Sequence, residues 1–496
     1  MKEFDNNHAA DDQLSTTGMS RRKLLKMAGL GAASLPFLGS SALAMAESLK
    51  GANINVEILG LAGWPPSAMS TKIGNTMFAP YAQKKLGYKV HFSSAQAPFE
   101  QLFQKAATSL ATHSAEYNLL ISDSQWLGAF ATPGWILKLN DIIDKNPDLN
   151  IDWYSDIVTD GYMAYPQGEK SIYGLPQEGD VMVMYVRKDM LEDPKEKDAF
   201  QKKYNKKLPQ TYEEFEALTW GDYKDVMAFF TRPDKNLYGI GLQYAKTYDN
   251  FSCYYYPFVF SKGQHIWNPK TRNVQGILNS QENAKSLEEF VALQKYCPPG
   301  SNQVGIPELA DLFTKGKVFS CIQWAAMGPT MIPDDLRGKV MVVPPPAFDV
   351  NGEKKRTYTL GGQPWVINAF NSKEQLAAVI DFLKYWYAKD TQLEFAKRGG
   401  NPCVKSVLES DGFDDIQPWF RAYKYMLANG RTKDFWHDPN YAKMLDVQQE
   451  AFTAYAAGNA KDPMKVLDYV AYHQQKILHD AGETKQAPKG SAPSLS

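Results

Sequence analysis

Cysteine and histidine are scarce in this chain, and their scarcity narrows the chemistry. Of 496 residues, four are cysteine and seven are histidine. Cys253, Cys297, Cys321 and Cys403 form no C-x-x-C pair, and nothing beside them reads as a nucleophile site, which argues against thiol catalysis. His8, His91, His113, His265, His437, His473 and His479 show no H-E-x-x-H and no metal-ligand spacing. His473 and His479, six apart on a predicted helix, share a face poorly. No glycine-rich phosphate loop precedes a helix. Neither a metal nor a cofactor is therefore expected. An excess of charge is also missing: 54 basic residues face 55 acidic ones, a net charge of −1. Such a balance gives no electrostatic reason to bind nucleic acid or a membrane surface. Internal repeats and long charge runs are absent. Beyond the N-terminal 46 residues, no apolar run is long enough to cross a bilayer.

That N-terminal segment holds one clear signal. Arg21 and Arg22 stand together after a polar lead-in. An apolar run from Met27 to Leu43 follows, broken by small residues and Pro36, and ends in Ala44-Met45-Ala46, a small-x-small cleavage pattern. The arrangement resembles a bacterial twin-arginine (Tat) export signal. Residues 1–46 are expected to be a leader and signal peptide. The alternative, a retained anchor, suits a run rich in Gly, Ala and Ser less well. Without this segment the chain has 49 basic and 51 acidic residues, a net charge of −2. About 450 residues then remain, enough for two or three domains. Aromatic residues make up 13% of the chain. Ordinary packing accounts for most of them, but surplus Trp and Tyr also offer flat apolar ligand faces.

Along the chain, strand-like and helical patterns alternate. Residues 55–59, 88–92 and 118–122 read as strands, with helices over 75–86 and 98–110. A second set follows: a strand over 180–186, a long helix over 211–230 opened by the capping box Thr211-Tyr212-Glu213-Glu214, and strands over 317–323 and 339–343. Helices over 375–388, 392–397, 418–429, 441–457 and 463–478 close the series. This order predicts α/β units around mainly parallel sheets. Residues 487–496, rich in Pro, Ser and Ala, read as a disordered tail.

Several segments, in order, resemble the extracellular solute-binding proteins of ABC transporters, the family that includes sugar and maltodextrin binders. They are Asp123-Ser124-Gln125-Trp126-Leu127-Gly128; Tyr173-Gly174-Leu175-Pro176 with Tyr185-Val186-Arg187-Lys188-Asp189; Leu208-Pro209-Gln210-Thr211-Tyr212-Glu213-Glu214-Phe215; Phe313-Thr314-Lys315-Gly316-Lys317 through Trp324; Gly361-Gly362-Gln363; and Gly399-Gly400-Asn401-Pro402. The resemblance spans about residues 53–480. It implies a two-lobed periplasmic-binding-protein fold of type II, with hinge-connected lobes and a ligand cleft between them. Lobe one would comprise 53–175 plus 363–386, and lobe two 181–358 plus 390–478. It also implies a periplasmic monomer that delivers a small-molecule solute, a sugar, oligosaccharide or polyol, to the transmembrane permease subunits of its transporter. Four cysteines in an oxidising compartment allow up to two disulfides. Cys253–Cys297, both in lobe two, is the first pairing expected.

Ligands of open α/β sheets sit outside the carboxyl ends of the strands. Residues that follow predicted strands are therefore candidates. Aromatic rings suit the C–H faces of a polyhydroxy ligand, and carboxylates and amides suit its hydroxyls. The candidate ligand-binding residues are Trp64, Asp123, Ser124, Gln125, Trp126, Glu178, Asp180, Tyr248, Asp249, Trp324, Gln363, Trp436 and Tyr441. For each aromatic the alternative is a core position, and for each carboxylate a helix cap or surface pair. Two further readings stay open. Glu178 and Asp180, two apart, would share one face of a strand, so an exported enzyme acting on polysaccharide is conceivable. The same aromatic-plus-acid set would suit a different organic solute such as a polyamine.

Overall fold

The computed structural model of the protein describes residues 49–166, 168–430 and 437–495. The leader and signal expected over residues 1–46 lie outside the described residues, as does Trp436. In chain order the strands are β1 (Asn53–Leu61), β2 (Lys89–Ala97), β3 (Leu119–Ile121), β4 (Leu175–Pro176), β5 (Asp180–Arg187), β6 (Ser320–Trp324), β7 (Val340–Val343), β8 (Phe348–Val350), β9 (Glu353–Lys355), β10 (Leu360–Gly361) and β11 (Pro364–Ile367). They form two sheets and a small ribbon of β8 and β9.

The first sheet has the order β2-β1-β3-β11-β4. β1 pairs in parallel with β2 and β3, joined by helical crossovers. β11 runs antiparallel to both β3 and β4. The second sheet is centred on β5, which is antiparallel to β6, β7 and β10. Mainly parallel sheets were expected, and only the β1–β3 part is so. A parallel neighbour needs a long crossover, whereas an antiparallel one can be reached by a short return. β4 and β11 are such returns, since the chain leaves the first sheet after β4 and re-enters it at β11.

β5 reads Val-Met-Val-Met-Tyr-Val from 181 to 186, an unbroken apolar run, and all six residues are fully buried. Neighbours on both edges and helices on its faces explain why no alternation is needed. The helix Lys373–Tyr387 packs on the first sheet: Phe382 meets Phe92 at 4.7 Å between ring centroids, and Tyr88 donates to Asp381. The helices Asn250–Phe260, Tyr441–Ala456 and Pro463–Asp480 belong to the second body of packing, tied by Ser252–Gln449 and Tyr256–Gln448 hydrogen bonds.

Three expectations are corrected here. The helix expected over 211–230 is two helices, Tyr212–Glu216 and Trp220–Phe230. Thr219 forms a second capping box with Asp222, which starts a new helix three residues after the first ends. The tail from 487 is held rather than frayed. The Gln275 amide brackets the Lys489 main chain through 2.9 and 2.8 Å bonds, and Leu495 packs against the core.

The third correction concerns the cysteines, all four of which are buried thiols rather than disulfide partners. Cys253 lies within the helix Asn250–Phe260, whereas Cys297 caps a short helical turn and donates to Leu293 O. Cys321 lies on β6, and Cys403 faces the Tyr423 hydroxyl. Burial pushes the Cys297 thiol up to about 12 and raises Cys321 and Cys403 as well. Thiols so buried and so far from ionised react slowly. Thiol titration of exported protein should therefore find no fast-reacting cysteine in the native state and four after denaturation. A disulfide in non-reducing peptide maps would contradict this arrangement.

Candidate ligand-binding site

Two stretches of chain run side by side between the sheets and form an antiparallel ribbon. At the first sheet Leu175 lies opposite Trp365 and Pro176 opposite Pro364. At the second, Asp180 lies opposite Gly361 and Val181 opposite Leu360. Midway, Gln177 N donates to Gln363 O at 2.8 Å. Gly362 turns the ribbon at φ +96°, a conformation that disfavours any side chain. Gly179 has a different reason: a Cβ there would stand 2.2 Å from the Tyr423 hydroxyl. The Tyr162 hydroxyl accepts the Asp180 N–H at 3.0 Å and donates to Gly361 O at 2.5 Å, so it pins both strands of the ribbon.

Glu178 and Asp180 sit on this ribbon at 1% and 0% exposure. Glu178 precedes β5 instead of lying on it, so strand alternation does not put the two acids on one face. Each acid binds a different side. Glu178 Oε1 accepts the indole N–H of Trp64, at the end of β1, at 2.5 Å. Asp180 Oδ1 accepts the main-chain N–H of Ala326, just beyond β6, at 3.0 Å, and that of Val181 at 2.9 Å. The other carboxylate oxygens, Glu178 Oε2 and Asp180 Oδ2, have no partner, nor do the amide oxygens of Gln177 and Gln363.

Burial pushes the Glu178 carboxyl well above the usual carboxylate range. The charge of Asp180 adds to the rise, and the Trp64 N–H opposes it. Asp180 is raised by burial too, against the pull of the Ala326, Val181 and Ala325 N–H groups. Trp324 completes this cluster. It ends β6 opposite Met182, and its ring lies on Gly361, where a Cβ would approach to 2.5 Å.

A second cluster joins elements of the two sheets directly. Asp123 follows β3 and caps the turn Ser124–Trp126 by accepting Gln125 N at 3.0 Å. Ser124 is buried in that turn. Gln125 Nε2 then donates to Asp249 Oδ2 at 2.8 Å, and Trp126 Nε1 donates to the Tyr248 hydroxyl at 2.7 Å. Phe99 meets the Tyr248 ring edge-on at 4.3 Å. Tyr248 takes φ +46°, an unusual conformation for a residue with a side chain. The Trp126 ring is enclosed by Phe99, Phe103 and Phe130. Tyr441 is buried at the start of its helix, within electrostatic reach of Asp249 and Tyr248.

The thirteen expected residues thus fall into two places, apart from Trp436. Trp64, Glu178, Asp180, Trp324 and Gln363 gather on the ribbon. Asp123, Ser124, Gln125, Trp126, Tyr248, Asp249 and Tyr441 gather at the direct contact. Sequence reasoning missed Tyr162 and Gln177. Tyr162 closes a short helix and carries no local signal; Gln177 was within reach, since it lies in the same strand-end segment as Glu178.

Sheet pairs bridged by a short ribbon, with polar and aromatic side chains at the strand ends, define the two-lobed binding-protein class of α/β folds. Residues 76–418 match the family described as bacterial extracellular solute-binding protein. The chain belongs to that family, whose members are exported binding proteins. Its fold is similar to that of a maltose-bound MalE3 from T. maritima, at 20% identity and a TM-score of 0.68, covering 86% of this chain and 100% of that one. It is similar to a solute-binding protein of Agrobacterium radiobacter K84 in complex with ribitol, at 21% identity and a TM-score of 0.68 over 86% and 99% of the two chains. A D-mannitol-bound protein of Agrobacterium vitis S4 matches at 18% identity and a TM-score of 0.64, again over 86% and 99%.

The acid pair makes stability depend on pH. Both carboxyls have a higher pKa folded than unfolded, so the native state binds more protons. Stability is then greatest below the unfolded carboxyl range, about 4, and falls as pH rises from there towards the raised folded values. Glu178→Gln removes one such group. Thermal melts of ligand-free protein between about pH 5 and pH 8 should show the variant gaining on the parent as pH rises. A constant difference, or one that moves the other way, would exclude a raised Glu178.

Proposed function

We propose that this protein is the substrate-capturing component of an ABC importer, exported through the Tat route, and that it binds a sugar, oligosaccharide or polyol between two lobes. The lobes would comprise 53–175 with 363–386, and 181–358 with 390–478, joined through the ribbon. The observation that carries the reading is the set of buried acceptors on that ribbon without a donor: Gln177 Oε1, Glu178 Oε2, Asp180 Oδ2 and Gln363 Oε1. Buried polar atoms in native proteins are paired, so a group of unpaired acceptors is fit for hydroxyl donors from outside the chain. Trp64 and Trp324 supply ring surface beside them, at 6% and 7% exposure. Proteins of similar fold are bound to maltose, ribitol and D-mannitol, which supports the polyhydroxy class. Export is supported by the twin arginines and by the extracellular family.

Capture would part the Gln125–Asp249 and Trp126–Tyr248 contacts to admit ligand and remake the closure around it. The protein would act without turnover and dock on its permease as a monomer.

Calorimetric titration against a panel of neutral sugars and polyols, with product analysis of each mixture, tests the proposal. Binding on the micromolar scale, about −8 kcal/mol, with no new product is expected. Trp64→Ala should weaken it by about 1–3 kcal/mol, and Trp64→Phe should weaken it less. Small-angle scattering should record a smaller radius of gyration with ligand than without. Release of shortened saccharides, or saturated binding with an unchanged radius, would count against the reading.

A further inference from the structure

The acceptors on the ribbon share a property that a neutral polyol does not require. Two belong to carboxyl groups, and no cation among the described residues acts on them. The titratable groups that sense Asp180 or Glu178 are Cys403, Tyr423 and Tyr185, all buried and all shifted towards their neutral forms. The remaining polar neighbours are the Trp64 indole, the Tyr162 hydroxyl and main-chain N–H groups, none of them charged. Among the described residues, no lysine or arginine acts on either carboxyl. Beside the acids, the amide oxygens of Gln177 and Gln363 are buried acceptors with no donor. A site with unsatisfied acceptors, a repelling acid pair and no counter-charge is complementary to a group that brings several N–H donors and a positive charge together.

We propose that the ligand presents a protonated amine to the Glu178–Asp180 pair, which makes the captured solute an amino sugar or amino polyol. This rests on the reading of the ribbon as a carbohydrate-type site and narrows it. The ammonium would lie against Glu178 Oε2 and Asp180 Oδ2, while Trp64 and Trp324 flank the carbon skeleton. Charge balance dictates a proton step. Without ligand, burial and mutual repulsion hold the pair towards its protonated form. A bound ammonium favours the ionised carboxylates, so the protons the pair holds pass to solvent as the ligand binds.

Calorimetry on the exported chain tests this with matched probes: glucosamine against glucose, galactosamine against galactose, and 1-amino-1-deoxysorbitol against sorbitol. Each titration is run in two buffers of different ionisation enthalpy, which counts protons. In at least one pair the amine should bind about tenfold tighter or more, with net release of protons that its neutral partner does not cause. Glu178→Gln should bring that pair to within about threefold of one another and abolish the proton release. If the variant does not fold, the proton count on the parent protein decides alone. Equal or tighter binding of the neutral partner without proton release overturns the inference and leaves the carbohydrate reading standing. Binding by no member of any pair overturns both.

Discussion

The antiparallel pairing of residues 175–181 with 360–365 is the constraint on which the rest of this structure depends. It carries the chain between two sheets twice over, once in each direction, and hydrogen-bonds the two passages to each other. A single strand would be a flexible tether. Two paired strands, with Tyr162 bound to both, make a stiffer connection. The pairing also explains the antiparallel halves of both sheets, because each passage enters its sheet beside the other. Close packing demands glycine at 179, where a helix approaches, and favours it at 362, where the backbone turns.

Charged groups on such a ribbon are costly. A carboxylate removed from water with no cation beside it loses several kcal/mol of hydration, which hydrogen bonds only partly return. Here the cost is divided. Asp180 is braced by main-chain N–H groups of the second sheet, and Glu178 by one indole of the first. Each acid therefore contacts a different sheet while both sit on the same ribbon.

The aromatic residues divide in the same way. Trp126 is spent on packing with Phe99, Phe103 and Phe130 and on a bond to Tyr248, so its ring has no free face in this conformation. Trp64 and Trp324 instead lie at strand ends beside unpaired acceptors. Identical residue types at similar positions after a strand thus serve different ends, decided by what packs on them from elsewhere in the chain.

How far the chain could be read depended on the range of the forces involved. The strands β1, β2, β3, β5, β6 and β7 and the long C-terminal helices follow from apolar patterning that is local, and the capping box at Thr211 was visible as four consecutive residues. The second box, Thr219 to Asp222, was equally local and was overlooked within a continuous helical pattern. Trp64, Asp123, Ser124, Gln125, Trp126, Glu178, Asp180 and Trp324 were read from strand ends, which pattern alone locates, and the other candidates from residue type; twelve of the thirteen lie in two clusters. Strand direction, the unbridged cysteines, the roles of Tyr162 and Gln177, and the division of labour between Trp126 and Trp64 were beyond it. Each of those depends on contacts between residues tens to hundreds of positions apart, whose geometry no local pattern encodes. Sequence by itself determined the alternation of elements and the chemical types available at the strand ends; tertiary structure decided which of them meet, because pairing across the ribbon, and not proximity along the chain, brings the acids, the amides and the indoles together.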